Sequence, residues 1–200
     1  MAHLEGIQTG AGQMAMLINQ LVDITRLQMG ALLELHLRPV DLVALTRAAV
    51  AQQQDGACRQ LVVEAERPDL VATVDAERIE RVLSNLIGNA VKYSPDGGQI
   101  SVRVAREDGA GAGWALLAVR DSGLGIPAAD LPHVFDRYYR ASNVPGHIQG
   151  TGIGLASVRQ IVEQHGGNVG VTSQEGAGTT VTVRLPLQEV ALRQRWEGAG

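Results

Sequence analysis

Two amides and one ammonium group are spaced to project from the same side of a predicted helix. Between Ala76 and Lys92 the apolar residues recur at intervals of three and four, which predicts an amphipathic helix. Asn85, Asn89 and Lys92 fall at i, i+4 and i+7 on the other face. Amide oxygens suit a hard Mg²⁺ ion that keeps water and phosphate ligands, and lysine neutralises phosphate charge. A solvated polar face would show the same pattern, so this helix alone does not establish a site.

An aspartate stands directly after a predicted strand, Ala115–Arg120. Asp121 is followed by Gly123 and Gly125, which let the backbone turn tightly where a flat ring could approach. The carboxylate could accept a hydrogen bond from the exocyclic amine of adenine. The alternative is an aspartate that only caps a β-turn.

A glycine-rich segment opens the next predicted helix, Ile153–His165. Its residues are Gly150, Thr151, Gly152, Ile153, Gly154 and Leu155. Free N–H groups and the positive helix end would meet at these glycines, an arrangement that binds phosphate. No Gly-Lys-Ser/Thr follows and no Rossmann turn precedes it, and glycines in a mobile lid are the alternative. Together, the three segments predict an ATP site.

The remaining sequence predicts a mixed α/β domain. Its further helix is Leu42–Gln53, capped by Asp41, and its further strands are Leu61–Ala65, Val71–Val74, Gln99–Arg106, Asn168–Thr172 and Thr179–Leu185. One sheet covered by a helical layer follows, an α/β (α+β) sandwich. A domain boundary is expected near Arg38, and residues 188–200 form a polar tail.

Residues 4–33 carry a heptad-like apolar stripe that predicts one long helix. Thirty helical residues extend about 45 Å, too long to bury against a small domain, so pairing with a second copy in a helical bundle is expected. A solvated helix, or one packed on its own domain, is the alternative.

Composition narrows the function classes. The 200 residues are 45% hydrophobic and 19% charged, with a net charge of −4, which argues against a nucleic-acid partner. No uninterrupted apolar run approaches about 18 residues, so no membrane contact is expected. Cys58 is the only cysteine, which excludes an internal disulfide and a cysteine-based zinc site and fits a cytoplasmic location.

The motifs resemble those of the catalytic ATP-binding domain of bacterial sensor histidine kinases, in the Bergerat-fold superfamily that includes gyrase-type ATPases. The likeness spans about residues 39–187. The family's asparagine box would be Arg78–Pro95, its first glycine box Asp121–Ile126, its phenylalanine box Val134–Arg140 and its second glycine box Gly150–Leu155. The segment that closes the adenine pocket would be Gly178–Thr180.

The resemblance implies residue roles. Asn89 would coordinate Mg²⁺, Asn85 and Lys92 would contact phosphate, and these three form the predicted catalytic set. The other predicted nucleotide contacts are Tyr93, Asp121, Gly123, Gly125, Ile126, Arg140, Gly150, Thr151, Gly152, Ile153, Gly154, Leu155 and Thr180. Residues 127–149 would be a lid from which Arg140 reaches the phosphates and in which Phe135 packs into the core.

Residues 1–38 resemble the second helix of the dimerisation hairpin of the same family. No histidine stands in the family's phosphoacceptor motif, and His3-Leu4-Glu5 is a poor imitation of it. The predicted function is therefore transfer of the ATP γ-phosphoryl group to a histidine outside this chain, in a two-component pathway with a response regulator.

Two alternatives remain from other classes. A gyrase-like ATPase would resemble this chain but carries a glutamate base four residues before the metal-binding asparagine, where Asn85 stands here. An amide cannot take the proton from water. The second alternative is a regulatory nucleotide-binding module or a serine-directed anti-sigma kinase, which the long helix disfavours.

Overall fold

The computed structural model describes residues 35–54, 60–95, 97–109, 113–146, 148 and 150–187. The predicted long helix and the predicted polar tail lie outside the described residues. Three α-helices are described, α1 (Leu42–Gln54), α2 (Ala76–Lys92) and α3 (Gly154–Gln164), together with a short 3-10 helix at Leu131–His133. The strands are β1 (Arg38–Asp41), β2 (Leu61–Ala65), β3 (Val71–Val74), β4 (Ile100–Glu107), β5 (Trp114–Arg120), β6 (Asn168–Gln174) and β7 (Gly178–Pro186). None of the helices in these ranges is long and apolar enough to cross a bilayer.

The predicted α/β sandwich is confirmed, with one difference in the sheet. Five strands pair in the order β2-β4-β5-β7-β6, in which β2 and β4 are parallel and the other neighbours antiparallel. Strand β3 was expected in the same sheet, but it pairs with β1 in a separate antiparallel ribbon. In this ribbon Arg38–Asp41 pair in register with Val71–Val74.

The core lies between one face of the five-stranded sheet and the three helices. Helix α2 is central: it packs against α1 on one side and α3 on the other, and it also contacts β4 and β5. Its apolar face is fully covered, as at Ile79, Leu83 and Ile87. This burial fixes the rotation of α2 about its axis, and therefore the direction of its polar face.

An aspartate caps the start of α2 and another the start of α1, where the cap by Asp41 was predicted. Asp75 accepts a hydrogen bond from the backbone N–H of Arg78 at 3.2 Å and anchors the start of α2. Asp41 accepts from the N–H of Val43 at 2.9 Å at the start of α1. Asp75 is buried and also accepts from the N–H of His36 and the Nε–H of Arg78, at 3.1 Å each.

Candidate nucleotide-binding site

A cleft of about 780 Å³, counted to its open mouth, lies between α2, neighbouring parts of β5 and β7 and the residues that precede α3. Apolar side chains form most of the wall, and Asn89, Asp121 and Arg140 bring polar groups to it. The lining residues are Leu86, Asn89, Ala90, Tyr93, Val119, Asp121, Leu124, Gly125, Ile126, Val134, Tyr139, Arg140, Ala141, Val144, Leu155, Thr179 and Val181.

Asp121 stands at the end of β5 and is only 9% exposed. Its Oδ1 accepts hydrogen bonds from the backbone N–H of Gly123 at 2.9 Å and of Thr179 at 3.2 Å. Among the described residues, no donor reaches its Oδ2, which leaves that oxygen for a ligand. Burial raises the pKa of the Asp121 carboxyl, and the two N–H donors partly oppose this rise. The carboxyl is therefore held in one orientation with one free oxygen at the cleft.

The first glycine segment, Asp121–Ile126, is fastened to its surroundings at several points. The N–H of Leu124 donates to the carbonyl of Tyr93 at 2.9 Å, and the N–H of Ile126 donates to Ser173 Oγ at 2.9 Å. Gly125 has φ +62°, and a Cβ there would collide with the carbonyl of Gln174. Only glycine fits this position, because the backbone passes directly against the β6–β7 turn.

The polar face of α2 meets the second glycine segment, Gly150–Leu155. A Cβ on Gly154 would lie 3.2 Å from Asn85 Oδ1 and 3.8 Å from Asn89 Nδ2. The Lys92 ammonium contacts Gly150, donates to the Tyr93 hydroxyl at 3.1 Å and lies 4.6 Å from the centre of its ring. The two predicted segments are thus neighbours in space, with two amides and a lysine along their boundary.

The start of α3 is open for an anion. Ile153 is its N-cap residue, and within the described part of the chain no side chain caps the first turn. The free N–H groups and the positive end of the helix dipole therefore face the glycine segment, as the sequence predicted.

The lid, residues 127–149, is described except for residues 147 and 149. It docks on the second glycine segment, where the N–H of Tyr138 donates to the carbonyl of Gly152 at 2.9 Å. Gly152 has φ +69°, and a Cβ there would approach the Tyr138 carbonyl carbon and the Tyr139 carbonyl oxygen to 2.6 Å. Tyr138 itself adopts φ +66°, which is strained for an aromatic residue, and is 60% exposed.

Some predicted residues lie beside the cleft rather than on its wall. They are Asn85, Lys92, Gly123, Gly150, Thr151, Gly152, Ile153, Gly154 and Thr180. Most of them belong to the glycine segments or to the face of α2 that these segments touch.

Two expectations need correction. Thr179, not Thr180, lines the cleft, because Val181 also faces it and alternate residues of β7 point to opposite faces. Phe135 was expected in the core, but it is half-buried, with the Arg159 guanidinium 5.9 Å from its ring centre. Its neighbour Val134 is the residue that is buried, at 8% exposure, and lines the cleft.

Most residues of the apolar wall belong to none of the predicted site positions. Leu86 and Ala90 were assigned to the core face of α2, and they do belong to the core, but the cleft opens directly beside them. Ala90 is a small residue among larger apolar ones on this face of α2, and this is the sequence signal for a gap that could take a flat apolar ring. Tyr139, Ala141 and Val144 come from the lid and carried no periodic pattern.

An α/β sandwich with a cleft of this composition defines a nucleotide-binding domain. Residues 74–189 match the profile of the histidine kinase-, DNA gyrase B- and HSP90-like ATPases. The chain belongs to this family, and the Bergerat ATP-binding fold that the motifs implied is confirmed.

The relatives are sensor histidine kinases. The chain is 36% identical to sensor histidine kinase YkoH of Bacillus subtilis over 186 residues, 92% of this chain and 39% of that protein. It is 42% identical to WalK of the same organism over 124 residues, 60% of this chain and 20% of that protein. The chain thus spans about two fifths or less of the length of these relatives.

Solved structures show the same relationship. The mycobacterial sensor histidine kinase MprB superposes with a TM-score of 0.68 at 29% identity, covering 76% of this chain and 99% of that one. Full-length ShkA in complex with AMPPNP superposes with a TM-score of 0.75 at 26% identity, covering 88% of this chain and 36% of that one.

Proposed function

We propose that this chain binds ATP with Mg²⁺ and transfers the γ-phosphoryl group to a histidine that lies outside its 200 residues, in a two-component signalling pathway. The observation that carries the proposal is a cleft whose wall includes both the buried carboxylate of Asp121 and the amide of Asn89 from α2. AMPPNP, bound in ShkA, is an ATP analogue, which supports the same class of ligand here.

The donor set of the cleft fits a magnesium ion that arrives with the nucleotide. Asn89 brings an amide oxygen to the wall, and the described residues contain no group of three or more His, Cys, Asp or Glu side chains around one point. Mg²⁺ accepts such a site because it keeps waters and phosphate oxygens as ligands. When bound, the ion neutralises charge on the phosphate oxygens.

In this transfer the protein holds the nucleotide in place and neutralises the charge of its phosphates. Asp121 Oδ2 accepts from the adenine amine, Lys92 and Arg140 offset phosphate charge, and the N–H groups at the start of α3 bind phosphate oxygen. A nitrogen of the acceptor imidazole attacks the γ-phosphorus, the bond to the bridging oxygen breaks, and ADP leaves with the electron pair. No protein base is needed to activate the nucleophile, because the unprotonated nitrogen of the imidazole already carries the attacking lone pair.

Hydrolysis is the alternative activity, and the residue at position 85 argues against it. Asn85 donates from Nδ2 to the carbonyl of Arg81 at 3.1 Å and presents Oδ1 toward Gly154. This amide faces the second glycine segment but cannot remove a proton from water.

We also propose the organisation of the chain. Residues 1–38 contain a dimerisation helix that pairs with a second copy and end in the first residue of β1, residues 39–187 form the rest of the catalytic domain, and residues 188–200 form a tail. The phosphoryl group passes from the acceptor histidine to a response regulator, and the chain works in the cytoplasm without contacting nucleic acid or membrane. The sensor histidine kinases among its relatives support this organisation.

The test is transfer in trans. The chain is titrated calorimetrically with ATP in the presence and absence of Mg²⁺, then incubated with γ-labelled ATP and a separate helical hairpin that carries an acceptor histidine. We expect acid-labile label on the hairpin, none on the chain, and negligible phosphate release, with transfer slowed by the lost tether. Label on His3, or fast phosphate release that survives Asn85→Ala, would contradict the proposal. Binding without any transfer would favour the regulatory module.

A further inference from the structure

One carboxylate in the lid, that of Asp130, accepts hydrogen bonds from two residues, Tyr139 and Ser142, that lie on either side of Arg140. Asp130 is 7% exposed. Its Oδ1 accepts from the Tyr139 hydroxyl at 2.8 Å, and its Oδ2 accepts from the N–H of Ser142 at 2.6 Å and from Ser142 Oγ at 2.8 Å. These hydrogen bonds, the Ser142 N–H first, hold the pKa of Asp130 below its usual range, so the group is ionised at neutral pH.

The two donor residues, Tyr139 and Ser142, lie on either side of Arg140 in the sequence. Tyr139, Arg140 and Ala141 line the cleft, and Ser142 follows them. The Arg140 guanidinium donates to the carbonyl of Ile148 at 2.6 Å and makes no ion pair with any described carboxylate. Its charge is therefore left for an anion, while Asp130 holds the side chain of Tyr139 before it and the backbone of Ser142 after it.

We propose that Asp130 is a positioning residue that sets where Arg140 meets the phosphates of the nucleotide. This inference rests on the proposed ATP binding. Closing the loop between positions 130 and 142 keeps the Tyr139–Ala141 backbone against the cleft, so that Arg140 needs no further ordering when the ligand arrives.

Hydrogen-bond chemistry predicts which substitutions are tolerated. Asp130→Ala removes all three acceptor contacts. Asp130→Asn can keep Oδ1 toward Ser142 and donate from Nδ2 to the oxygen of the Tyr139 hydroxyl, since a hydroxyl both donates and accepts. The amide should therefore rescue the alanine variant, although the negative charge is gone.

A matched control lies in the same segment. Asp136 is also a lid carboxylate, but its side chain is 52% exposed and contacts the exposed His133 at 3.0 Å. Asp136→Ala removes one charge from the lid without cutting the bonds that hold Arg140. Tyr139→Phe, which removes only one of the three Asp130 contacts, serves as a milder variant if Asp130→Ala does not fold.

The experiment compares Mg²⁺-ATP and adenosine binding by titration calorimetry. We expect Asp130→Ala to weaken Mg²⁺-ATP binding about tenfold, because a charge-assisted contact from Arg140 is misplaced, and to leave adenosine binding unchanged. Tyr139→Phe should show a smaller loss in the same direction. Asp130→Asn and Asp136→Ala should bind both ligands like the wild type. In the Arg140→Ala background, Asp130→Ala should have no further effect on Mg²⁺-ATP binding.

Several results would overturn the inference while the proposed function survives. They are equal losses for Mg²⁺-ATP and adenosine, an Asp130→Asn variant as weak as Asp130→Ala, or additive losses in the Arg140→Ala background. A wild-type chain that fails to bind Mg²⁺-ATP would instead overturn the proposed function itself.

Discussion

Replacing Asp121 with asparagine would change one atom at the adenine end of the cleft, and the structure determines which one. Oδ1 of Asp121 is used by the N–H groups of Gly123 and Thr179. An asparagine must keep its oxygen there, because its amide nitrogen cannot accept from an N–H. The NH₂ group then takes the place of Oδ2 and faces the adenine amine, donor against donor.

The expected loss of affinity follows from that inversion. A hydrogen bond to a charged group contributes about 1.5–3 kcal/mol, and about 1.4 kcal/mol corresponds to a factor of ten. ADP should therefore bind Asp121→Asn roughly ten- to a hundredfold more weakly than the wild type. Inosine diphosphate, which carries a carbonyl oxygen in place of the amine, should bind the variant better than the wild type, since the new NH₂ can donate to that oxygen.

Calorimetric titration of both proteins with both diphosphates is the assay. The thermal stability of the ligand-free variant should be equal to or higher than that of the wild type, because burial disfavours the charged form of Asp121. Since the folded-state pKa of Asp121 is raised, the charge penalty is present above that pKa and is relieved as pH falls through it. Unchanged ADP affinity, or equal losses for the two diphosphates, would remove Asp121 from the adenine contact.

Three other perturbations test separate parts of the fold. Asn89→Ala should weaken Mg²⁺-dependent ATP binding about tenfold and spare adenosine, as titration with and without Mg²⁺ would show. Asp75→Ala should lower the free energy of unfolding by about 1–2 kcal/mol in denaturant titrations, since it removes a helix cap. Burial alone would raise the pKa of Asp75, but the hydrogen bonds from His36 and Arg78 together outweigh it and lower the pKa. The difference in unfolding free energy between wild type and variant should therefore be full at neutral pH and be lost as pH falls through the lowered pKa. ATP should slow trypsin cleavage after Arg137 and Arg140, and equal rates with and without ATP would argue against closure of the lid.

Residues governed by a local period were predictable from the sequence. The bounds of α2 were predicted at Ala76 and Lys92, and the structure has the same bounds. The 3.6-residue period separates a core face from a polar face, and a buried core face leaves only one direction for Asn85 and Asn89. Strands β2 and β3 were also predicted with their observed bounds.

Pairing between distant strands was not predictable from the same patterns. Strand β3 leaves the main sheet because β1 offers it an antiparallel partner, which no local signal reveals. The choice between Thr179 and Thr180 depends on register: Val119 pairs with Val181, and both line the cleft. A prediction one residue out along a strand reverses the face to which a side chain points.

The lid shows a different limit. Val134 and Phe135 are adjacent apolar residues in a segment without regular period, so hydrophobicity alone favours the larger one for the core. The structure buries Val134 instead and leaves Phe135 half-buried beside Arg159. Asp130 carried no motif signal either, because its three contacts come from residues 9 and 12 positions further along the chain.

The two ends of the nucleotide would contact parts of the fold that are held in different ways. Asp121 is anchored by backbone N–H groups of the first glycine segment and of β7, whereas Arg140 depends on the hydrogen bonds of the lid to Asp130. The two carboxylates share no partner, so their variants should act independently. In an Asp121→Asn, Asp130→Ala double variant, the loss of Mg²⁺-ATP affinity should equal the product of the single losses, and the altered preference for inosine diphosphate should persist. A loss much smaller than that product would mean that lid and adenine contact form one cooperative unit, and Asp130 would then act on the whole site rather than through Arg140.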